Sequence, residues 1–384
     1  MDVLKRLNLK LAGIFVLGIV CFNACITEFK PDVSDYEYAL VVDGRITNQK
    51  KNHTIKLSKS YNYGADKGKA VNGALVRIIS DDGTNELLVE KGNGIYTTSA
   101  NFSAIVGSSY RLYIKYEDKE YESIPEIMLP VNKVDSVFWQ VEDREGMGSG
   151  VQLFVSSGKR GIGKESEYYK WEFNETWKFS VQVFENNAKP FWYCWKNVPS
   201  ADYYVGSSEG LAGNVIEKQA LNFISTETNR LFYRYSINVY QYSMNRNSYL
   251  YFKQLKEQLE SSSSLFEKTP MVLHSNISCI TDESEIVLGY FEVSEVDSSR
   301  IFIDKNELPS GINWSGLTNF DTACVMYNTI VDTSMAYQQL DQSLIIDTLV
   351  TPTWDTFLVH YYSRRCFDCT ATGFPNVPPD YWKE

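Results

Sequence analysis

Histidine is scarce in this chain of 384 residues, which contains only His53, His274 and His360. A Ser-His-Asp or Cys-His catalytic site needs one of them, and none lies beside a nucleophile motif. We therefore interpret each as a surface residue or a hydrogen-bonded core residue. The sequence also lacks a glycine-rich phosphate loop. These two absences argue against a histidine-dependent hydrolase and a nucleotide-binding enzyme, and no catalytic residue is predicted.

A surplus of positive charge is absent as well. The chain has 37 Lys and Arg against 48 Asp and Glu, a formal net charge of −11 at pH 7. Such a chain repels the phosphates of nucleic acids, so we predict no nucleic-acid partner. The acids are dispersed through turns, but the two carboxylates of a glycosidase need not be close in sequence. A glycan hydrolase with an unrecognised carboxylate pair therefore stays open as an alternative.

Only one long apolar run is present, the twelve residues Leu11–Phe22. A transmembrane helix needs about 20 apolar residues, so this run is too short to span a bilayer. Lys5, Arg6 and Lys10 precede it, and a positive start followed by a short apolar core is typical of an export signal. We therefore assign residues 1–24 to a signal peptide.

The apolar run ends at a cysteine that can carry a lipid. Ala24 is the small residue that a signal peptidase needs before the cut, and Cys25 follows it. Cys21 is a poorer candidate, because it lies inside the apolar core after the branched Val20. The sequence predicts a lipoprotein acylated at Cys25, held on the membrane by its acyl chains, with residues 25–35 as a polar tether. An ordinary secretory signal is the alternative.

The composition and turn spacing predict a mainly β protein. Tyrosine alone numbers 26, and short strands such as "YALVVDGRIT", "GALVRIIS" and "YRLYIKY" alternate with turns across residues 36–130. This segment is similar to transthyretin-like modules, so we expect an immunoglobulin-like β-sandwich. Residues 131–384 are predicted to form a larger β-rich domain after a linker that contains Pro125 and Pro130.

One helix is predicted near residues 245–261. Tyr249, Phe252, Leu255 and Leu259 recur three or four residues apart, which is the period of an amphipathic helix. Ser243 or Asn245 can cap its first free amides. We expect this stripe to pack the helix onto the sheet, with an exposed helix that fits a partner's groove as the alternative.

The segment "HYYSRRCFDCTATG" contains the motif Cys366-x-x-Cys369. Such a pair can be half of a zinc site, with His360 as a third ligand, or a redox dithiol. A second close pair of ligands is missing, and so is the strand-to-helix context of a thioredoxin-like motif. In an exported chain a structural disulfide is favoured, and we predict no metal and no cofactor.

Several segments together resemble one known family. "LVVDGRIT", "YYKWEFNETWKF", "VLGYFEVSEVDSSRIFI" and the closing "RRCFDCTATGFPNVPPDYW" are similar to the Bacteroidetes lipoprotein family catalogued as domain of unknown function 4249. Members are outer-membrane-associated lipoproteins, often encoded beside TonB-dependent receptors, and the family has no established enzymatic activity. The resemblance therefore implies a non-enzymatic lipoprotein of the outer membrane, on its surface or its periplasmic face.

The resemblance also selects among the cysteines. Four of them lie in segments that look like the cysteine-bearing segments of the family: Cys194, Cys279, Cys366 and Cys369. Cys324 has no obvious match. We predict two disulfides drawn from these four, with Cys324 left as a buried free thiol.

The predicted function is that of a non-catalytic binding or accessory partner of an outer-membrane TonB-dependent receptor, in nutrient capture or receptor assembly. Aromatic residues of the second domain, such as those of "FWYCW" at 191–195, are candidate interface anchors, although core packing is an equally ordinary use for them. The alternative is the glycan hydrolase of the cell envelope.

Overall fold

The structure is a computed structural model that describes residues 39–61, 68–158, 165–182, 190–211, 214–261, 273–312, 314, 327–332, 343–350 and 356–383. For residues 327–363 it describes the strands only. The predicted signal peptide 1–24, the tether 25–35 and the cysteines Cys25 and Cys324 lie outside these residues. Within them, no helix is both long enough and apolar enough to cross a membrane.

The described chain is mainly β, as the sequence predicts. The first nine strands are β1 Leu40–Thr47, β2 Thr54–Lys59, β3 Leu75–Ser80, β4 Asn85–Leu87, β5 Val89–Gly92, β6 Ile95–Thr97, β7 Ser109–Tyr116, β8 Lys119–Ser123 and β9 Glu126–Ile127. The next ten are β10 Val134–Arg144, β11 Gly148–Ser157, β12 Tyr168–Ser180, β13 Tyr193–Pro199, β14 Tyr204–Ser207, β15 Ile216–Ser225, β16 Arg234–Met244, β17 Ile277–Cys279, β18 Val287–Ser294 and β19 Val296–Asp304. The remaining strands are β20 Tyr327–Asp332, β21 Ser343–Val350 and β22 Thr356–Ser363.

The helical elements are few and mostly short. The α-helix α1 is Arg246–Ser261. Single 3₁₀ turns lie at Asn229–Leu231, Lys305–Glu307, Arg364–Cys366 and Cys369–Thr372.

The first β-sandwich consists of two sheets with one apolar core between them. One sheet has the order β18-β1-β2-β6-β5, and the other has the order β17-β8-β7-β3-β4 with β9 beside β7. Alternate residues of β1 and β2, including Leu40, Val42 and Ile55, are fully buried in the core. This is the period of two that places every second side chain on one face of a strand. The immunoglobulin-like form predicted for 36–130 stays a prediction.

The strand β18 joins this sandwich from far along the chain. It pairs with β1 in parallel, from Leu40 opposite Val287 to Thr47 opposite Ser294. Gly289 has φ +93°, and a Cβ there would lie 1.8 Å from the carbonyl oxygen of Val42. Glycine therefore permits the close approach of the two strands.

The second β-sandwich is built from longer strands. The sheet β10-β11-β15 covers the sheet β13-β12-β16-β19, in which β14 also pairs with β12. The core between them is rich in large rings, and Tyr169, Trp171 and Tyr235 are fully buried there. The strands β20, β22 and β21 form a separate three-stranded sheet. The domain boundary predicted near residue 130 stays a prediction. The strands β17 and β18 come after most of the second sandwich in sequence, but they pair with strands of the first sandwich.

Helix α1 begins at Arg246, and the side chain of Asn245 caps it by accepting a hydrogen bond of 2.8 Å from the backbone amide of Ser248. Phe252 is buried and Tyr249 and Leu255 are partly buried, in a cluster with Tyr168, Met244 and Tyr290. Leu259 is 54% exposed, so the apolar stripe predicted from the sequence is one residue too long. Leu259 therefore lies outside the contact between α1 and this cluster.

The chain divides into two compact units. All the strands and α1 belong to the unit of Ala39–Ser60 and Lys69–Glu384. The other unit, Met1–Tyr38 with Tyr61–Gly68, lies almost entirely outside the described residues.

Candidate functional site

A cleft of about 770 Å³ lies where the outer faces of the two sandwiches meet. The first sandwich contributes alternate residues of β1, such as Asp43 and Arg45, and Glu292 of β18. The second contributes Lys170 and Glu172 of β12, while β16, α1 and the loop before β14 supply aromatic rings. Because strand side chains alternate between two faces, residues that flank core positions come together on these outer faces.

Arg45 and Glu172 form a bidentate ion pair across the cleft. The two guanidinium nitrogens of Arg45 donate to the two carboxylate oxygens of Glu172 at 2.7 and 2.8 Å. The guanidinium also lies 3.9 Å from the ring centroid of Tyr242. Burial would raise the pKa of Glu172, but the hydrogen bonds and the charge of Arg45 lower it to about 2. Glu172 is therefore a fixed anion at neutral pH.

A second ion pair lies beside the first and is more deeply buried. The ammonium of Lys170 donates to Glu292 at 2.6 Å, and the side chains of these two residues are 3% and 8% exposed. Lys170 also lies 4.0 Å from the ring centroid of Phe252 and 3.7 Å from a carboxylate oxygen of Glu172. Burial lowers the pKa of Lys170, against the opposing charge of Glu292.

The two pairs form one row of alternating charges, in the order Arg45, Glu172, Lys170 and Glu292. Its outer members, Arg45 and Glu292, belong to the first sandwich, and its inner members belong to the second. This row of charges therefore connects the two sandwiches and holds the polar wall of the cleft in place.

His53 lies at the cleft in a neutral form. Its Nδ1 faces the carbonyl oxygen of Lys51 at 3.1 Å, so Nδ1 carries the proton and donates. Its Nε2 then accepts from the hydroxyl of Thr47 at 3.0 Å. Burial, together with the charges of Lys51 and Arg45, lowers the pKa of His53 to about 4. His53 is 2% exposed, so it is a hydrogen-bonded core residue, which is one of the two positions predicted from the sequence.

The depressed pKa of His53 predicts a loss of stability in mild acid. A histidine with an ordinary pKa near 6.5 in the unfolded chain and about 4 in the folded chain binds its proton preferentially when unfolded. Its contribution to stability is therefore complete above pH 6.5 and declines as the pH falls towards 4. Between pH 7.5 and pH 5 we expect wild type to lose about 2 kcal/mol more than His53→Gln, because glutamine does not titrate. Urea unfolding at the two pH values measures the difference, and identical pH dependence in both proteins would contradict it.

Two other buried carboxylates hold the fold together outside the cleft. Glu126 accepts from Asn276 at 3.0 Å and from the phenol of Tyr290 at 2.9 Å, and burial raises its pKa. Glu175 accepts from Arg230 at 3.0 Å and from Tyr235 at 2.7 Å. Neither side chain lines the cleft. Both therefore lie outside the candidate site.

The cysteines lie in two places. Cys194 of β13 and Cys369 form a disulfide, and Cys366 is disulfide-bonded as well. Cys279 is a free, buried thiol, so its inclusion among the disulfide candidates is wrong. The physical reason is its position in β17, which lies in the core of the first sandwich, whereas Cys194 and Cys369 share a small apolar cluster with Val181. Cys25 and Cys324 lie outside the described residues.

The motif Cys366-x-x-Cys369 is neither a dithiol nor half of a zinc site, because both of its sulfurs are in disulfides and Cys369 is joined to Cys194. His274 is exposed, and His360 lies in β22. In the part of the chain that the structure describes, no group of three or more His, Cys, Asp or Glu could hold a metal ion.

The rings of the segment 191–195 have mixed positions. Phe191 is 37% exposed, whereas Trp195 is 6% exposed and lies edge-on to Trp382, with 6.3 Å between ring centroids. Trp195 is therefore a core residue under the C-terminal segment. Within 191–195, Phe191 is the one exposed residue and so the one that could contact a partner directly.

The residues of the cleft are those that sequence reasoning missed. A signal was present in "YYKWEFNE", where Lys170 and Glu172 stand two apart between buried rings. That spacing places opposite charges on one face of a strand. Their partners Arg45 and Glu292 are more than 100 residues away, and only the fold reveals them.

Comparison with known protein families gives one match. A family model described as "Domain of unknown function (DUF4249)" matches residues 26–300, so the segment after residue 300 lies outside the match. No curated protein matches the chain.

Proposed function

Because the chain belongs to the DUF4249 family, whose description assigns no activity, we propose from the geometry of its own cleft that it is a non-catalytic binding protein of the cell envelope. Its partner is an outer-membrane TonB-dependent receptor, to which it delivers a captured nutrient or whose assembly it assists. Its lipid anchor is Cys25.

The observation that carries this proposal is the wall of fixed ion pairs. Arg45 with Glu172 and Lys170 with Glu292 hold each other in place before any ligand arrives, so the cleft is preorganised for binding. Its volume, about 770 Å³, falls within the usual range for small-molecule sites. A rigid polar cleft of this size supports a binding role.

The same groups argue against the glycan hydrolase. A glycosidase needs one carboxylic acid that stays protonated near neutral pH and a second that is ionised. The pKa of Glu172 is about 2, and Glu292 is held by the ammonium of Lys170. The other two acids of the described cleft, Asp43 and Asp202, are exposed and are not enclosed by apolar side chains.

The membrane location rests on the predicted signal peptide and tether. A protein and a receptor anchored in the same bilayer have a high effective concentration, so a modest interface stays occupied. We therefore expect affinity purification of the tagged protein from detergent-solubilised membranes to recover a β-barrel receptor. Recovery of the protein alone, in a detergent that preserves other envelope complexes, would contradict the proposal.

The matched control is Cys25→Ser, which removes the predicted lipid attachment and leaves the described residues unchanged. We expect this variant to leave the membrane fraction after a high-salt wash and to recover much less receptor. A variant that stays in the washed membranes would show that Cys25 is not the anchor.

A further inference from the structure

The charges that line the cleft are balanced. Four cations, Arg45, Lys51, Lys56 and Lys170, stand against four acids, Asp43, Glu172, Asp202 and Glu292. The whole chain, by contrast, carries a net charge of −11. A ligand with net charge would leave one sign uncompensated inside the cleft or break an existing ion pair, and both are costly. The balance favours an uncharged ligand.

Two aromatic rings of the cleft are partly exposed. The faces of Tyr242 and Phe252 are covered by Arg45 and Lys170. Tyr203 and Tyr240 are only partly buried, and no cation covers either ring among the described residues. The Tyr203 ring packs beside that of Phe252, with 5.7 Å between centroids, so only its other face can receive a ligand. The Tyr240 ring lies nearly parallel to that of Tyr242, at 25° and 6.5 Å between centroids, which holds its plane. Each open ring offers a flat apolar surface beside polar groups.

Uncommitted hydrogen-bonding groups line the same cleft. Asn174, whose amide can both donate and accept, has no side-chain hydrogen bond within the described ranges. The same holds there for the Asp43 carboxylate and for the hydroxyls of Tyr203 and Tyr240. The cleft thus combines donors and acceptors with apolar ring faces.

Resting on the proposed binding function, we propose that the cleft binds a neutral oligosaccharide. The exposed faces of Tyr203 and Tyr240 stack against the C–H faces of its sugar rings, and Asn174 and Asp43 hydrogen-bond to its hydroxyl groups. A saccharide combines these features without net charge. A cationic peptide carries a net charge, and a free amino acid brings two full charges that need their own partners in the cleft.

The test is isothermal titration calorimetry of the purified full-length protein in detergent. The probes are maltohexaose, cellohexaose, xylohexaose and mannohexaose, with tetralysine and tri-galacturonate as charged comparators. We expect at least one neutral hexasaccharide to bind, and neither charged probe to bind as tightly. Binding by none of the four, or tighter binding of a charged probe, would overturn the ligand class.

Ring variants test the site. Tyr203→Ala and Tyr240→Ala should each weaken binding by about tenfold or more, whereas Tyr240→Phe should stay close to wild type. Tyr113→Ala, a half-buried tyrosine of β7 away from the cleft, is the matched control and should bind normally. Thermal melts of each variant confirm folding. Unchanged binding in both alanine variants would overturn the assignment of the cleft.

The two proposals fail separately. Receptor recovery without sugar binding removes the ligand class and leaves the proposed function intact. Sugar binding without receptor recovery supports the ligand class and contradicts the receptor partnership. Release of new reducing ends from the bound hexasaccharide would contradict the non-catalytic function.

Discussion

Replacing Lys170 with methionine is expected to lower the free energy of unfolding by about 3–5 kcal/mol. The substitution keeps most of the apolar stem of the side chain and removes the ammonium, which donates to Glu292 and lies 4.0 Å from the ring centroid of Phe252. Glu292, whose side chain is 8% exposed, would then be a buried anion without its ammonium partner. Desolvation makes such an uncompensated charge costly. Urea unfolding followed by tryptophan fluorescence measures the loss.

A double variant separates the missing charge from the missing contacts. Lys170→Met combined with Glu292→Leu removes both members of the pair and leaves Arg45 with Glu172, so we expect most of the lost stability to return. Lys256→Met is the surface control, because Lys256 pairs with Glu260 on the exposed side of α1 at 3.7 Å. It should change stability by less than about 0.5 kcal/mol. A loss below about 1 kcal/mol in Lys170→Met would show that the pair is not desolvated.

Removing the disulfide between Cys194 and Cys369 is expected to cost about 2–5 kcal/mol. The bridge closes a loop across a sequence separation of 175 residues, so its loss frees many conformations of the unfolded chain. The variant Cys194→Ala with Cys369→Ala leaves no unpaired thiol at this site. Thermal unfolding under non-reducing conditions measures the change, and a melting temperature equal to that of wild type would contradict the expectation.

The control for this variant is Cys279→Ala. It removes a buried sulfur of similar size that takes part in no bridge, so it should cost only about 1 kcal/mol. The C-terminal segment is also held by a hydrogen bond of 3.0 Å from the amide of Trp195 to the carbonyl of Pro375. Loss of the bridge between Cys194 and Cys369 removes one of these two restraints. Limited proteolysis should therefore cut the C-terminal segment faster in the variant Cys194→Ala with Cys369→Ala than in Cys279→Ala.

Local patterns account for the parts of the fold that were predicted. The alternation in β1, with Leu40 and Val42 inside and Asp43 outside, follows from the geometry of a single strand. The helix at 246–261 follows from apolar residues at helical spacing and from the cap at Asn245. Neither needs information from elsewhere in the chain. The prediction that Leu259 belongs to the packed stripe is wrong, because helical spacing does not show how far the surface beneath a helix extends.

The sequence by itself determined the mainly β class, the position of α1 and the resemblance to the DUF4249 family, because periodicity and motifs are properties of neighbouring residues. The tertiary structure decided which cysteines are bridged, that β18 pairs with β1, and that Arg45 meets Glu172. It also decided that the cleft exists at all. These contacts join residues more than 100 positions apart. The residues next to a charged side chain or a cysteine in the sequence do not show which distant residue will be its partner. The outer faces of the two sandwiches bring Arg45 to Glu172, a small apolar cluster encloses Cys194 and Cys369, and backbone pairing places β18 beside β1. Only the folded chain creates these surroundings.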